Sequence, residues 1–297
     1  MTSQHTSHTV GGARQHAHAA SAGSPDEAMT VLLDLDGEVL HDYWSAALDW
    51  AASAAGALAA ARTGRVLDLG AGTGTGALGL AERFPRAEVI ALDVEPGSLA
   101  RVRDKARERG LDGRVRALEH DLDAGWPDLG PLDLTWASMS LHHMADPGRV
   151  LADALNATRP GGLIAVAEFA EQFRFLPSGA GPGAPGFEER IADQLGRAHA
   201  EELPTLGSAW APRLADAGWE VAGERAFAID LDPPAHPRAA DYARTWFTRL
   251  SEGFADRLEP ADRATLSELL TDPGALAGQR LHIRGTRTVT LGRRPGL

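Results

Sequence analysis

The chain has 297 residues and no cysteine, which excludes disulfides, thiolate metal sites, iron–sulfur clusters and cysteine nucleophiles. Hydrophobic residues make up 43% and charged residues 24%, the balance of a soluble globular protein with a full core of its own. The net charge of −12 argues against a nucleic-acid partner, which calls for basic surface; no apolar run approaches a membrane span or the core of a signal peptide, so the expectation is a cytoplasmic protein without a membrane partner.

Residues 1–28 carry Ser, Thr, Ala, Gly and His without apolar periodicity and read as a disordered tail. The remainder, 29–297, reads as one domain. Asp42 is placed to cap a helix through Tyr43, Trp44, Ala47 and Leu48, running on to about Arg62. Val66–Leu69 is a short apolar strand that meets a glycine-rich loop, Gly70-Ala71-Gly72-Thr73-Gly74. A helix follows to Phe84, where Pro85 stops it. A second strand, Glu88–Leu92, ends at Asp93, and the next helix presents Leu99, Val102 and Ala106 on one face. Val115–Glu119 and Leu132–Ala137 are strands three and four. Asp146-Pro147 supplies an N-cap and an N1 proline for another helix. Pro160-Gly161-Gly162 turns the chain into a fifth strand, Leu163–Phe169. Strands alternating with helices imply a doubly wound α/β sheet with right-handed crossovers.

Beyond it, 177–186 is a glycine–proline loop, with helices near 187–203, 208–217, 237–252 and 260–270. Two further strands are expected at Val221–Leu231 and Leu281–Leu291. Segments of about 171–203 and 236–270 read as an inserted helical cap. In the cap, Tyr242, Trp246 and Leu250 form a stripe at helical spacing that suits core packing and, where it lines a pocket, a flat apolar acceptor.

The glycine loop stands at the carboxyl end of the first strand, the edge where open α/β sheets bind ligands. Gly72, Gly74 and Ala77 satisfy a dinucleotide pattern that is weak by itself. Charge separates the options. A dinucleotide would set its pyrophosphate close to Asp68, whereas S-adenosylmethionine brings an ammonium and a sulfonium and no phosphate. Asp93 is placed to reach ribose hydroxyls, Asp121 to accept from an adenine amino group, and Leu122 to offer a backbone amide and an apolar wall.

Val66–Gly74 resembles the first motif of the class I S-adenosylmethionine-dependent methyltransferases, and Ala91-Leu92-Asp93-Val94 their acidic second motif. Leu132–Pro147 is similar to the fourth-strand motif of the small-molecule branch, and Arg159–Gly162 to the turn before strand five. The resemblance covers 64–170 well and 205–297 only in its order of elements. It implies a Rossmann-like, seven-stranded, mostly parallel sheet whose antiparallel last strand inserts between strands five and six. It implies S-adenosylmethionine held by Asp68, Gly70, Gly72, Gly74, Asp93, Val94, Asp121 and Leu122, with the methionine part also touching Ala137 or Ser138. Tyr43 and Trp44 fall where such proteins often carry a lid helix.

The implied chemistry is in-line methyl transfer to a small-molecule acceptor, with His142 or His143 as general base and Glu168 as a further base candidate. No metal is expected, and a homodimer is one expectation for the assembly. Two alternatives remain on the sequence: a nicotinamide-dependent oxidoreductase, opposed by Asp68 and by the lack of a Tyr-x-x-x-Lys pair, and a non-methylating S-adenosylmethionine-binding enzyme or sensor on the same fold.

Overall fold

A computed structural model describes residues 25–61, 64–177, 183–232, 236–272, 274–277 and 280–296. Its frame is a seven-stranded sheet in the order β3-β2-β1-β4-β5-β7-β6. The strands are β1 Arg65–Leu69, β2 Glu88–Asp93, β3 Val115–Glu119, β4 Leu132–Ser138, β5 Thr158–Arg174, β6 Glu220–Leu231 and β7 Ile283–Arg293. The first five pair in parallel, and β7 runs antiparallel between β5 and β6. The expected insertion of the last strand is therefore found. Strand order reverses between β1 and β4, so the glycine loop sits at the topological switch point.

The central strands β1, β2, β4 and the middle of β5 are mostly apolar and buried because helices cover both faces, whereas β3 and β6 at the edges carry more polar residues. One face buries Val66, Leu134, Trp136, Ala165 and Val289 against α2 (His41–Ala61) and α3 (Thr75–Arg83). The other buries Leu67, Ile90, Ala137 and Ile164 against α5 (Pro147–Ala157) and α7 (Trp210–Asp216). Asp146 caps α5 as expected, its Oδ1 accepting from the Arg149 amide at 2.9 Å. Further helices are α4 (Pro96–Glu108), α6 (Phe187–Glu202), α8 (Ala239–Phe254) and α9 (Pro260–Thr271).

Three expectations change. The chain forms a helix, α1 (Pro25–Val39), ahead of the expected first one. It begins inside the segment read as tail and continues past Leu40 into α2, so Asp42 lies in the first turn of α2 rather than capping it. Strand β5 is longer at both ends than Leu163–Phe169. Thr158 already pairs with Leu132, and the expected Pro160–Gly162 turn survives as an irregularity before Leu163 meets Leu134, with Gly161 at φ +78°. At its far end β5 follows β7 out to the Arg174–Arg284 pairing. Half of the glycine–proline loop, 178–182, and the tail histidines lie outside the described residues.

Candidate active site

A cavity of about 640 Å³ opens along the carboxyl edge of the sheet and runs from the glycine loop under α1, α6 and α8. Its size is within the range of small-molecule and cofactor pockets. One half is polar backbone and carboxylates; the other is aromatic and aliphatic.

In the first half, Gly70 and Gly72 take φ of +68° and +50°, the left-handed region that glycine enters without strain. Gly70 is also closely packed, since a Cβ there would stand 2.3 Å from the Cβ of Ser140. The Gly72 amide donates to Asp93 Oδ2 at 2.7 Å, and the Glu95 amide to Asp93 Oδ1 at 3.0 Å. Asp93 thus anchors the loop, and each of its oxygens keeps a lone pair for a ligand hydroxyl. Asp121 Oδ1 accepts from the Asp123 amide at 2.8 Å, which fixes the β3 loop so that Asp121 and the buried Leu122 both border the cavity.

Asp68 lies at the floor, 2% exposed. Burial pushes its carboxyl up to about 7, against the Ala77 amide that hydrogen-bonds it and with help from the Asp93 charge. Its Oδ2 and the Ser138 Oγ are buried without a hydrogen-bond partner, and both residues line the cavity. The orphaned Asp68 oxygen beneath a glycine loop fits an ammonium group and opposes a pyrophosphate, and the Ser138 hydroxyl beside it can accept from that ammonium. Met139, beside them, has φ +55°, the one positive φ outside glycine among the described residues. Such strain concentrates where backbone is held for a ligand.

At the junction of the halves stands His142, on a short 3₁₀ turn after β4. Its Nδ1 meets Glu168 Oε2 at 2.6 Å, both side chains being buried. That pairing leaves Nε2 as the nitrogen available to a ligand and lets Glu168 stabilise a proton taken up there. His143 packs 4.1 Å from it, ring centre to ring centre, and faces the cavity. Burial first, then the neighbouring His142 and His199, pushes His143 down to about 4. His199 on α6 also lines the cavity; burial, and then His142, lowers its pKa.

The second half is walled by Phe169, Phe173, Leu195, Tyr242, Trp246 and Phe254. The α8 stripe therefore serves core and pocket at once, while Phe247 turns fully into the core. Of the sequence-derived site residues, Asp68, Gly70, Gly72, Asp93, Val94, Asp121, Leu122, Ser138, His142 and His143 line the cavity. Four do not. Gly74 faces Val102 of α4. Ala137 is buried in the sheet, Tyr43 packs into the core against Phe227, and Glu168 stands behind His142. Trp44, not Tyr43, reaches the wall from α2.

Sequence reasoning missed Leu33, Asp36, His199 and Arg287 on this wall. Asp36 and Arg287 form a buried ion pair across 251 positions, at 2.5 and 3.1 Å. No local pattern announces it. Among the described residues no cluster of three or more His, Asp or Glu is placed to hold a metal ion, and no helix is long and apolar enough to cross a membrane.

Residues 66–162 match the family model of a methyltransferase domain. Over 191 residues the chain is 31% identical to a trans-aconitate 2-methyltransferase of Methylobacterium radiotolerans, covering 56% of this chain and 71% of that protein. It is 34% identical over 170 residues to the 27-O-demethylrifamycin SV methyltransferase of Amycolatopsis mediterranei, with 54% and 60% of the two chains covered. It is 42% identical over 106 residues to the demethylmenaquinone methyltransferase of Thermus thermophilus, with 35% and 47% covered. The matches thus span about half the length of these last two relatives. Among solved structures, one from Galdieria sulphuraria designated a sarcosine dimethylglycine methyltransferase shares the fold. Its TM-score is 0.50 at 18% identity, over 84% of this chain and 85% of that one.

Proposed function

The chain belongs to the class I S-adenosylmethionine-dependent methyltransferases, and from that premise we propose that it methylates a flat, largely apolar small molecule at a hydroxyl group. The observation that carries this reading is the continuity of one cavity from the glycine loop to the aromatic half, with His142 at the junction. S-adenosylmethionine, when bound, supplies a methyl group activated by sulfonium. The residues then have definable tasks. Asp68 and Ser138 offer their unpartnered oxygens to the ammonium. Asp93 accepts from the ribose hydroxyls, and Asp121 with Leu122 borders the adenine. Phe169, Phe173 and Trp246 hold the acceptor and keep water out.

His142 Nε2 takes the hydroxyl proton while Glu168 holds Nδ1 and balances the imidazolium. His143 is the poorer base, because a group pushed down to about 4 has little affinity for a proton at neutral pH. It suits a neutral hydrogen-bonding contact to the acceptor instead.

The test is turnover of S-adenosylmethionine to S-adenosylhomocysteine with a panel of planar hydroxylated compounds, each paired with its O-methylated or deoxy analogue. Only the free hydroxyl compounds should react. His142→Ala should lower kcat by about 10²–10⁴-fold, and His143→Ala should act mainly on the acceptor KM. Turnover of the deoxy analogues, or full kcat in His142→Ala across pH 6–9, would overturn the hydroxyl assignment.

A further inference from the structure

Helix α1 touches both halves of the cavity. Towards the glycine loop, Leu33 Cδ1 lies 3.0 Å from where a Cβ on Gly72 would stand. Asp34 takes Arg101 Nε at 2.9 Å and binds Lys105, the only lysine of the chain, which also donates to Thr73 of the loop at 3.4 Å. Towards the acceptor half, Asp36 gathers four donors from three elements. Trp44 Nε1 of α2 reaches Oδ1 at 2.9 Å, the Tyr242 hydroxyl of α8 reaches Oδ2 at 2.8 Å, and the Arg287 guanidinium of β7 binds both oxygens. All four side chains border the cavity. The guanidinium carbon of Arg287 lies 5.4 Å from the ring centre of Phe169 and 5.0 Å from that of Phe173, both on the acceptor wall.

We infer that Asp36 is a positioning residue that makes the acceptor wall depend on cofactor occupancy: a ligand on the glycine loop seats α1, and seated α1 fixes Tyr242, Trp44 and Arg287 through the Asp36 carboxylate. The inference rests on the reading of the loop edge as the S-adenosylmethionine site. The physical case is the discreteness of the network. A buried carboxylate shared by four donors in fixed directions has one satisfactory position. If α1 lifts from the loop, Asp36 leaves with it, and the Arg287 charge, 3% exposed, is stranded in a medium that solvates it poorly. An apolar contact would slip gradually; this one is held or lost. A ligand that favours the seated α1 therefore favours the assembled acceptor wall by the same free energy, and the coupling acts in both directions.

The experiment is amide hydrogen exchange on the full chain, with and without saturating S-adenosylhomocysteine, with calorimetry to establish that it binds. In the wild type, exchange should slow in 25–39 and also, by about fivefold or more, in 239–254; coupling factors between sites usually run from about 5 to 150. Tyr242→Phe removes one hydrogen bond and no charge. It should keep the protection of α1 and diminish that of α8. Asp36→Leu/Arg287→Met removes the pair together, a change that spares the fold the penalty of a lone buried charge, and should abolish the α8 response. A mere packing role would shift the ligand-free exchange of α8 and leave its response to ligand intact. Full α8 protection in Tyr242→Phe and in the double variant, or in Tyr242→Phe alone where the double variant does not fold, overturns the inference. So does wild-type α8 that ignores a bound ligand protecting α1, and that result leaves the cofactor reading standing. Absence of binding heat and of protection anywhere would sink both.

Discussion

Asp68 is the residue whose environment most constrains the ligand. The folded protein holds its carboxyl at about 7, where an unfolded chain would have it near 3.8. The folded state thus keeps a proton that the unfolded state has released. The contribution of Asp68 to stability is fully present below the unfolded value and is lost as pH rises through about 7. A cationic ligand reverses the balance, because it stabilises the carboxylate that burial disfavours. Affinity for S-adenosylhomocysteine should therefore rise between pH 5.5 and 7, by at most about tenfold per unit, and then level off. The ligand ammonium stays protonated over that range, since reference α-amino groups titrate near 7.7–8.0. Asp68→Asn should bind more weakly at pH 7.5 and lose the slope. Calorimetry in two buffers of different ionisation heat checks both, because the wild type alone should release a proton on binding near pH 6. A pH-independent wild type would mean that another group meets the ammonium.

At the scale of elements, β1 and β2 were legible because each is a short apolar run that ends at a glycine or an aspartate, and their parallel pairing follows from the helix between them; β4 was legible from its apolar Leu132–Ala137 core. The cofactor half of the site came with them, since Asp68, Gly72, Asp93 and Asp121 sit at strand ends or in the loops after them. Helix α1 was not legible. Asp34, Asp36 and Gly37 interrupt its apolar face, and their partners Lys105, Tyr242 and Arg287 lie 71, 206 and 251 residues away. Tyr43 misled for a related reason: helix phase decides whether it or Trp44 meets the cavity, and that phase is set by α1. Gly37 tests the seating of α1. Alanine would improve helix propensity by roughly 0.8–1 kcal/mol, but its Cβ would stand 2.4 Å from Thr75 Oγ1 and 3.0 Å from Thr75 Cγ2. With two branches of one threonine in the way, rotation cannot clear both, and overpacking of this kind costs about 1–3 kcal/mol. Gly37→Ala should weaken S-adenosylhomocysteine binding measured by calorimetry, and Gly37→Ala/Thr75→Ala should restore most of it. Unchanged affinity in the single variant would show that α1 need not be seated on the loop.

At the scale of the whole molecule, the two apolar clusters share one sheet. Leu67 and Trp136 belong to opposite faces of adjacent strands, so neither layer can melt without exposing the other. The cap is tied to the same sheet: α8 through Tyr242 and Asp36 to Arg287 of β7, and α6 through Glu188, which accepts from the Phe175 and Leu176 amides at 2.6 and 3.0 Å just past β5. A ligand at the strand edge should therefore stabilise sheet and cap as one unit. At 100 times its dissociation constant, S-adenosylhomocysteine should add about 2.7 kcal/mol. For a chain of this size about 1 kcal/mol moves Tm by roughly 2–4 °C, so a shift of about 5–11 °C is expected. NAD(H) and NADP(H), whose pyrophosphate would meet the orphaned Asp68 oxygen, should produce none. Far-ultraviolet circular dichroism reports mainly on the backbone, and tryptophan fluorescence draws on Trp44 and Trp246 at the cavity as well as Trp136 in the sheet. Both signals should move together by the same amount. A fluorescence transition that precedes the backbone one and ignores the ligand would show that the cap melts separately. The α1 bridge would then be too weak to carry any coupling between the two halves of the cavity.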